Sequence, residues 1–325
     1  MIKASISVVI ATRDRRELLA EAVESVRHQT SSEWELLVVD DASRDDTQAW
    51  LASLNDERVR AFRLDEHSER SVARNRGLEE ARGEFVMFLD DDDRLRPQAL
   101  AYLVESLRRD ARAVAAVGAR VKFKEGVYAT RINHPVRLSK RLIWPSLKTT
   151  RREIVPELLA GWGWSAVSGQ TLYRTDVVRR AGGYPADVVV VEDRALWLRV
   201  ARLGTVVVLP DVVLDYRDHG GQWRPANLFE MRREVFTRFI AELPEEAQTS
   251  ARRARAGGEC LYRADAEFER ARYGVALICY LKSCVVAPQL FLSPLTAPAI
   301  MRAAVSSLAR LLRLRVARKE KSYGS

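Results

Sequence analysis

The first 110 residues switch repeatedly between two hydrophobic periods, which restricts the chain to few architectures. Residues 5–12 (SISVVIAT) form a short apolar run rich in β-branched side chains. Residues 15–29 then place Leu18, Leu19, Ala22, Val23 and Val26 on one helical face. Residues 34–39 (WELLVV), 59–63 and 84–89 (EFVMFL) read again as strands. Between them, Ser43 is placed to cap a helix through Leu54, with Asp46 in its acidic first turn. Ser71 is placed to cap a helix carrying Arg74 to Ala81, which Gly83 ends, and Pro97 opens another to about Arg108. Such alternation predicts an α/β fold: a mixed, mostly parallel sheet flanked by helices, with ligands at the carboxyl ends of the strands.

Further on, residues 113–123 read as a strand and 124–148 as a polar, loop-rich stretch. A strand at 167–174, a short helix at 175–181, a break at Gly182-Gly183 and a helix at 194–203 follow. Two closing strands, 206–209 and 212–216, flank Pro210. From Ala226 the pattern is helical, with breaks expected at Pro244 and at Gly257-Gly258. The expected division is an α/β domain over 1–225 and a helical C-terminal region over 226–325.

Charge narrows the function classes. The 325 residues carry 53 Lys and Arg against 44 Asp and Glu, a net +9, of which +6 lies in residues 302–325. A nearly neutral body with a basic tail does not fit a nucleic-acid-coating protein, so no nucleic-acid partner is expected. Three cysteines without a C-x-x-C pair imply no disulfide framework and a reducing compartment. The first residues show no secretion signal, and the uncharged run 283–301 is interrupted by Pro288, Pro294 and Pro298. A cytoplasmic location follows as the expectation. There is no G-x-x-x-x-G-K-[ST], no G-x-G-x-x-G after the first strand, no G-x-S-x-G and no H-E-x-x-H. These absences argue against P-loop kinases, dinucleotide oxidoreductases, serine hydrolases and zinc proteases.

Three acidic clusters fall at strand ends: Asp40-Asp41, Asp90 through Asp93, and Glu192-Asp193. One carboxylate there is ordinary, since Asp suits turns and helix starts. Four adjacent aspartates repel one another unless a cation or many donors compensate, and hard cations such as Mg²⁺ or Mn²⁺ take carboxylate oxygens. His219, in a polar loop before Gly220-Gly221, reads equally as a loop residue or as a metal ligand beside that cluster. Trp162 and Trp164, in Gly161-Trp162-Gly163-Trp164, and Trp197 offer ring faces for stacking against a ligand; Trp197 reads equally as core.

Five segments in order resemble glycosyltransferase family 2, nucleotide-sugar enzymes of the GT-A fold: SVVIATRDR, ELLVVDDASRDDT, ARNRGLEEARGEF, VMFLDDDDRLRP and VEDRALWLRVARLG. The resemblance covers about residues 5–224. It implies that Ala11, Thr12 and Asp14 border the nucleobase and ribose, although Ala11 and Arg13-Asp14 stand where many relatives have Pro and Tyr-Asn. Asp41 would accept from the base N–H, and Arg74 would contact base or phosphate. Asp90-x-Asp92 matches the D-x-D metal motif, with Asp92 the direct ligand and Asp90 and Asp91 nearer the ribose and the metal's waters. The four-aspartate run leaves that register open by one position. Asp193, beside Glu192, matches the catalytic base that takes the acceptor's proton.

A single displacement from an α-linked donor then implies inversion. The resemblance implies UDP as the favoured donor nucleotide and, as acceptor, a hydroxyl of a glycan or lipid-linked glycan on which Trp162, Trp164 and Trp197 are candidates to stack. The processive Q-x-x-R-W motif is lacking, since Gln222-Trp223-Arg224 has a different spacing. The competing readings are a nucleotidyltransferase, whose Gly-rich basic first loop SVVIATRDR lacks, and a non-catalytic sugar-nucleotide binder. Residues 303–317 read as a basic amphipathic helix suited to an anionic membrane surface, or alternatively as a dimer or core helix with a solvated basic face. The first alternative would make the protein peripheral on the inner face of the cell membrane.

Overall fold

Strand β1 (Ile6–Thr12) is buried at every residue but Ala11 because both its faces are covered. Ile6, Val8 and Ile10 join one core with Leu19, Ala22, Val23 and Val26 of α1 (Arg16–Arg27). Val9 points the other way. The computed structural model describes residues 5–133, 150–152, 166–219, 228–288, 290, 300–301 and 303–312. On β1's second face lies α3 (Glu69–Glu80), where a Cβ at Gly77 would meet Val9 Cγ1 at 2.3 Å. At Gly83, entering β4, the obstacle is backbone: its Cβ would lie 2.6 Å from the Ser7 nitrogen, so glycine alone fits without backbone movement.

β1 pairs in parallel with β2 (Trp34–Asp40) and with β4 (Phe85–Asp90). Thr12 stands opposite Asp40, and Ala11 opposite Asp90, so the three strands end together. β3 (Val59–Arg63) extends the sheet beyond β2, and α2 is Thr47–Ser53. β5 (Arg94–Leu95), α4 (Ala99–Arg109), β6 (Ala113–Lys124), β7 (Val127–Asn133), β8 (Thr150–Arg152) and β9 (Thr171–Arg174) follow. Next come α5 (Thr175–Arg180), α6 (Glu192–Val200) and β10 (Thr205–Arg217). The sheet order is β3-β2-β1-β4-β9-β6-β10-β5, with β7 on β6 and β8 on β10. β9 runs antiparallel between β4 and β6, which makes the sheet mixed.

Several local expectations shift for physical reasons. Ser43 does not cap α2: its amide donates to Asp40 (2.8 Å) and its hydroxyl accepts from the Asp14 amide (3.0 Å). Ser71 lies inside α3, which starts after Ser68, whose own amide donates to Asp41 at 2.7 Å. The stretch after β6 is in part a hairpin, turned by Glu125 (φ 49°) and Gly126 (φ 80°), the left-handed pair of a tight β-turn. The two strands around Pro210 are one, with the register to β6 shifting between Val208 and Val212. A bulge is where a strand tolerates proline.

Among the described residues, one compact unit runs to Val235 and a second begins at Phe236. Helices α7 (Leu228–Ala241), α8 (Glu245–Glu269), α9 (Tyr273–Val286) and α10 (residues 303–312) follow the sheet. The break expected at Gly257-Gly258 is absent. α8 runs through it, and the bare Gly257 lets Ala287 approach so closely that a Cβ would sit 2.4 Å away. Among the described residues, no helix is long and apolar enough to cross a membrane.

Candidate active site

The shared ends of β1, β2 and β4 collect the polar side chains. Asp14 leaves β1 with φ 52° and accepts the Arg44 amide at 2.6 Å. Asp41 is buried after β2 and accepts the Ser68 amide, and its other oxygen lies 2.7 Å from His67 Nδ1. Asp40 is held by Arg63 at 2.5 Å. These contacts fix a wall of hydrogen-bonding groups at the β1–β2 end.

After β4 the four aspartates diverge. Asp91 turns back to β1, accepting from Thr12 Oγ1 (2.8 Å) and Arg15 (3.2 Å). Burial pushes its carboxyl up to about 6, with Arg15 opposing. Asp92 pairs with Arg15 at 3.2 Å and lies 3.0 Å from His219 Nε2. Asp93 is buried: one oxygen accepts the Arg217 amide at 2.8 Å, and the other, Oδ2, has no hydrogen-bond partner. Burial, and then the charges of Asp90 and Asp92, push the Asp93 carboxyl well above its ordinary range.

Oxygens of Asp90, Asp92 and Asp93 lie within 4.8 Å of one another. Three hard carboxylate donors this close fit a divalent cation, which would relieve their mutual repulsion.

Arg74 ties this cluster to α6. Its two terminal nitrogens meet Asp90 (2.5 Å) and Glu192 (2.9 Å), and the guanidinium lies 5.0 Å from the Tyr184 ring centre. Burial opposes the charge, yet Tyr184, Asp90 and Glu192 hold Arg74 protonated well beyond its ordinary value. Glu192 is pushed up by burial, against Arg74, and then by Asp193. Asn75 clamps the Tyr184 backbone from both sides, at 2.7 and 2.8 Å. Val191, at φ 68°, turns the chain sharply into α6, which opens with Glu192 and the half-buried Asp193. Asp193 Oδ1 accepts the Arg194 amide at 2.6 Å.

The fold thus brings together two bonded groups, Thr12–Asp91–Arg15–Asp92–His219 and Asp90–Arg74–Glu192, whose Asp90 and Asp92 oxygens lie within 4.8 Å, while Asp14 and Asp41 line the neighbouring β1–β2 end. Ala11 sits one residue before Thr12, opposite Asp90. Arg74 faces two carboxylates rather than an open groove. Trp197 is corrected: it is 1% exposed and packs against Tyr173 at 5.3 Å, which leaves no ring face for a sugar. Its position on α6 turns it toward the sheet. Trp162 and Trp164 lie outside the described residues.

Sequence reasoning missed Asp93, Arg15 and Arg217. Asp93 was hidden by the ambiguous register of the aspartate run. Arg217 is the last residue of β10, two before His219.

The profile of the family described as Glycosyl transferase family 2 matches residues 7–180. The chain is 32% identical over 134 residues to a putative teichuronic acid biosynthesis glycosyltransferase of Bacillus subtilis, covering 41% of this chain and 53% of that one. It is 38% identical over 103 residues to the GalNAc(5)-diNAcBac-PP-undecaprenol beta-1,3-glucosyltransferase of Campylobacter jejuni, covering 31% and 33%. The matches therefore span about half or less of these curated relatives' lengths. The S. aureus TarS 1-349 structure in complex with UDP-GlcNAc superimposes with a TM-score of 0.60 at 16% identity, over 94% of this chain and 89% of that one, a likeness of fold. With a match across more than half of its length, and a mixed sheet whose joined strand ends carry the aspartate cluster, this chain belongs to glycosyl transferase family 2 and has the GT-A fold.

Proposed function

We propose that the protein is an inverting, metal-dependent, non-processive glycosyltransferase that moves one sugar from a UDP-sugar to a hydroxyl of a glycan or lipid-linked glycan. The observation that carries this reading is the orphaned Asp93 oxygen beside Asp90 and Asp92, tied by Arg74 to the helix that opens with Glu192-Asp193. The UDP-GlcNAc complex of a structural neighbour and the undecaprenol-linked substrate named for a relative support the choice of donor and acceptor.

Asp90, Asp92 and Asp93 would hold Mg²⁺ or Mn²⁺, with His219 beside Asp92; when bound, the ion neutralises charge on the departing diphosphate. Thr12, Asp14 and Asp41 border the nucleoside, with Asp41 accepting from the base. Thr12 and Arg15 hold Asp91 in place. Asp193 takes the acceptor proton as that oxygen attacks the anomeric carbon from the face opposite the leaving group. One displacement inverts the anomeric centre. Glu192, locked by Arg74, positions Asp193 in the first turn of α6.

The test is a panel of UDP-, dTDP- and GDP-sugars with candidate acceptors, with and without Mn²⁺, reading nucleoside diphosphate release and the product's anomeric configuration by NMR. UDP release that requires both metal and acceptor, with a β-linked product, is expected. Retention, or turnover undiminished in chelator, would overturn the reading.

A further inference from the structure

The second compact unit presents apolar residues on both sides of two of its helices. α9 packs inward through Ala276, Cys279, Tyr280 and Ser283, and the Tyr280 hydroxyl bonds Asp265 of α8 at 2.5 Å, which fixes its roll. Its outer side nonetheless carries Ile278, Leu281 and Val285, which are 65%, 55% and 83% exposed. α10 repeats the arrangement. Ser307 is buried and Leu311 reaches Gly274, while Val305, Leu308 and Leu312 face outward. With Val275 and Met301, these two segments hold eight of the fifteen exposed large hydrophobic residues described, so the exposure is clustered and not the ordinary scatter of a surface.

The same stretch holds the protein's charge surplus. Between Glu269 and Glu320 there is no Asp or Glu and there are nine Lys or Arg, equal to the net +9 of the whole chain. Arg270 and Arg272 pair with Glu267; Lys282 lies within the outer stripe of α9 itself. A second copy would bring like charge against like charge. A nucleic acid would gain nothing from outward faces that are aliphatic and lack aromatic rings for stacking. Aliphatic faces in a stretch whose charged residues are all basic match the interface of an anionic bilayer, apolar side in the acyl boundary and cations at the headgroups.

We infer that the outer faces of α9 and α10 form a docking surface for anionic lipid. The inference stands apart from the transfer reaction, because its readout is binding. The full chain is floated with phosphatidylcholine vesicles and with vesicles containing about one-third phosphatidylglycerol. Binding at least about ten-fold stronger to the anionic vesicles, weakened by salt, is expected. Ile278→Glu with Val285→Glu, and separately Val305→Glu with Leu308→Glu, should each abolish it while circular dichroism and the melting temperature hold. Ile278→Ser with Val285→Ser serves if the glutamates impair folding. No preference of the unaltered protein for anionic vesicles would overturn the inference. So would binding that survives all outer-face changes, or a solution dimer that those changes dissociate.

Discussion

Arg74 and Glu192, 118 residues apart in sequence, meet at 2.9 Å in a site where both are almost wholly buried. The other arm of the same guanidinium holds Asp90 at the end of β4. One cation thereby fixes the distance between the aspartate cluster and the helix that carries Asp193.

Removing that cation should cost more than the pair itself contributes. Arg74→Met leaves buried Glu192 without its 2.9 Å partner and with Arg70 only at 3.8 Å, and a loss of about 3–5 kcal/mol in urea unfolding is expected. Arg74→Lys should recover little, since one ammonium cannot meet two carboxylates with a planar fork. Arg74→Met combined with Glu192→Gln should restore part of the stability and none of the transfer. Full stability in the single Arg74→Met variant would show that the bridge is not structural.

Asp193 offers a cleaner separation of binding from chemistry. Asp193→Asn keeps the size of the side chain and removes the carboxylate proposed as the base. Calorimetric donor and Mn²⁺ affinities should remain within a factor of about two, while transfer falls by about 10²–10⁴. Near-normal transfer would refute the assignment.

The aspartates after β4 should divide by role. Asp92→Ala and Asp93→Asn each remove a carboxylate from the cluster and should weaken Mn²⁺ binding, read by electron paramagnetic resonance, by about 10–100-fold. Asp91→Asn, whose carboxyl faces Thr12 and Arg15, should have a smaller effect on the metal and a larger one on stability. Equal losses across all three would mean that the cluster acts only as summed charge.

Away from the site, Asp56 sets a pH dependence of known sign. A two-pronged pair with Arg58, at 3.0 and 2.8 Å, lowers its carboxyl from 3.8 to about 2. The unfolded chain therefore binds this proton first. The stabilisation is fully present above pH 4 and is lost as the pH falls through about 2. The difference in unfolding free energy between the unaltered protein and Asp56→Asn should be flat from pH 7 to 5, about 1 kcal/mol, and shrink below pH 4. A difference that grows on acidification would reverse the sign and the explanation.

Much of this was readable from residue order alone. The two hydrophobic periods reflect which faces of each strand and helix lose water, and they are local properties, so β1, β2, β4 and their helices follow from them. So does the gathering of Asp41 and Asp90 to Asp93, because parallel strands that start together end together. What local pattern cannot carry is the direction of a side chain inside a turn, or the partner it meets across the sheet. Four identical aspartates look alike in sequence. Only the paths of β1 and β10 give Asp91 to Thr12 and Arg15 and leave Asp93 with an orphaned oxygen. Trp197 and Ser43 each read as a functional or capping residue until long-range packing claimed them. Arg74 and Glu192 likewise became partners only when α3 and α6 closed on the same strand end, since a contact over 118 residues depends on the path of the chain between them.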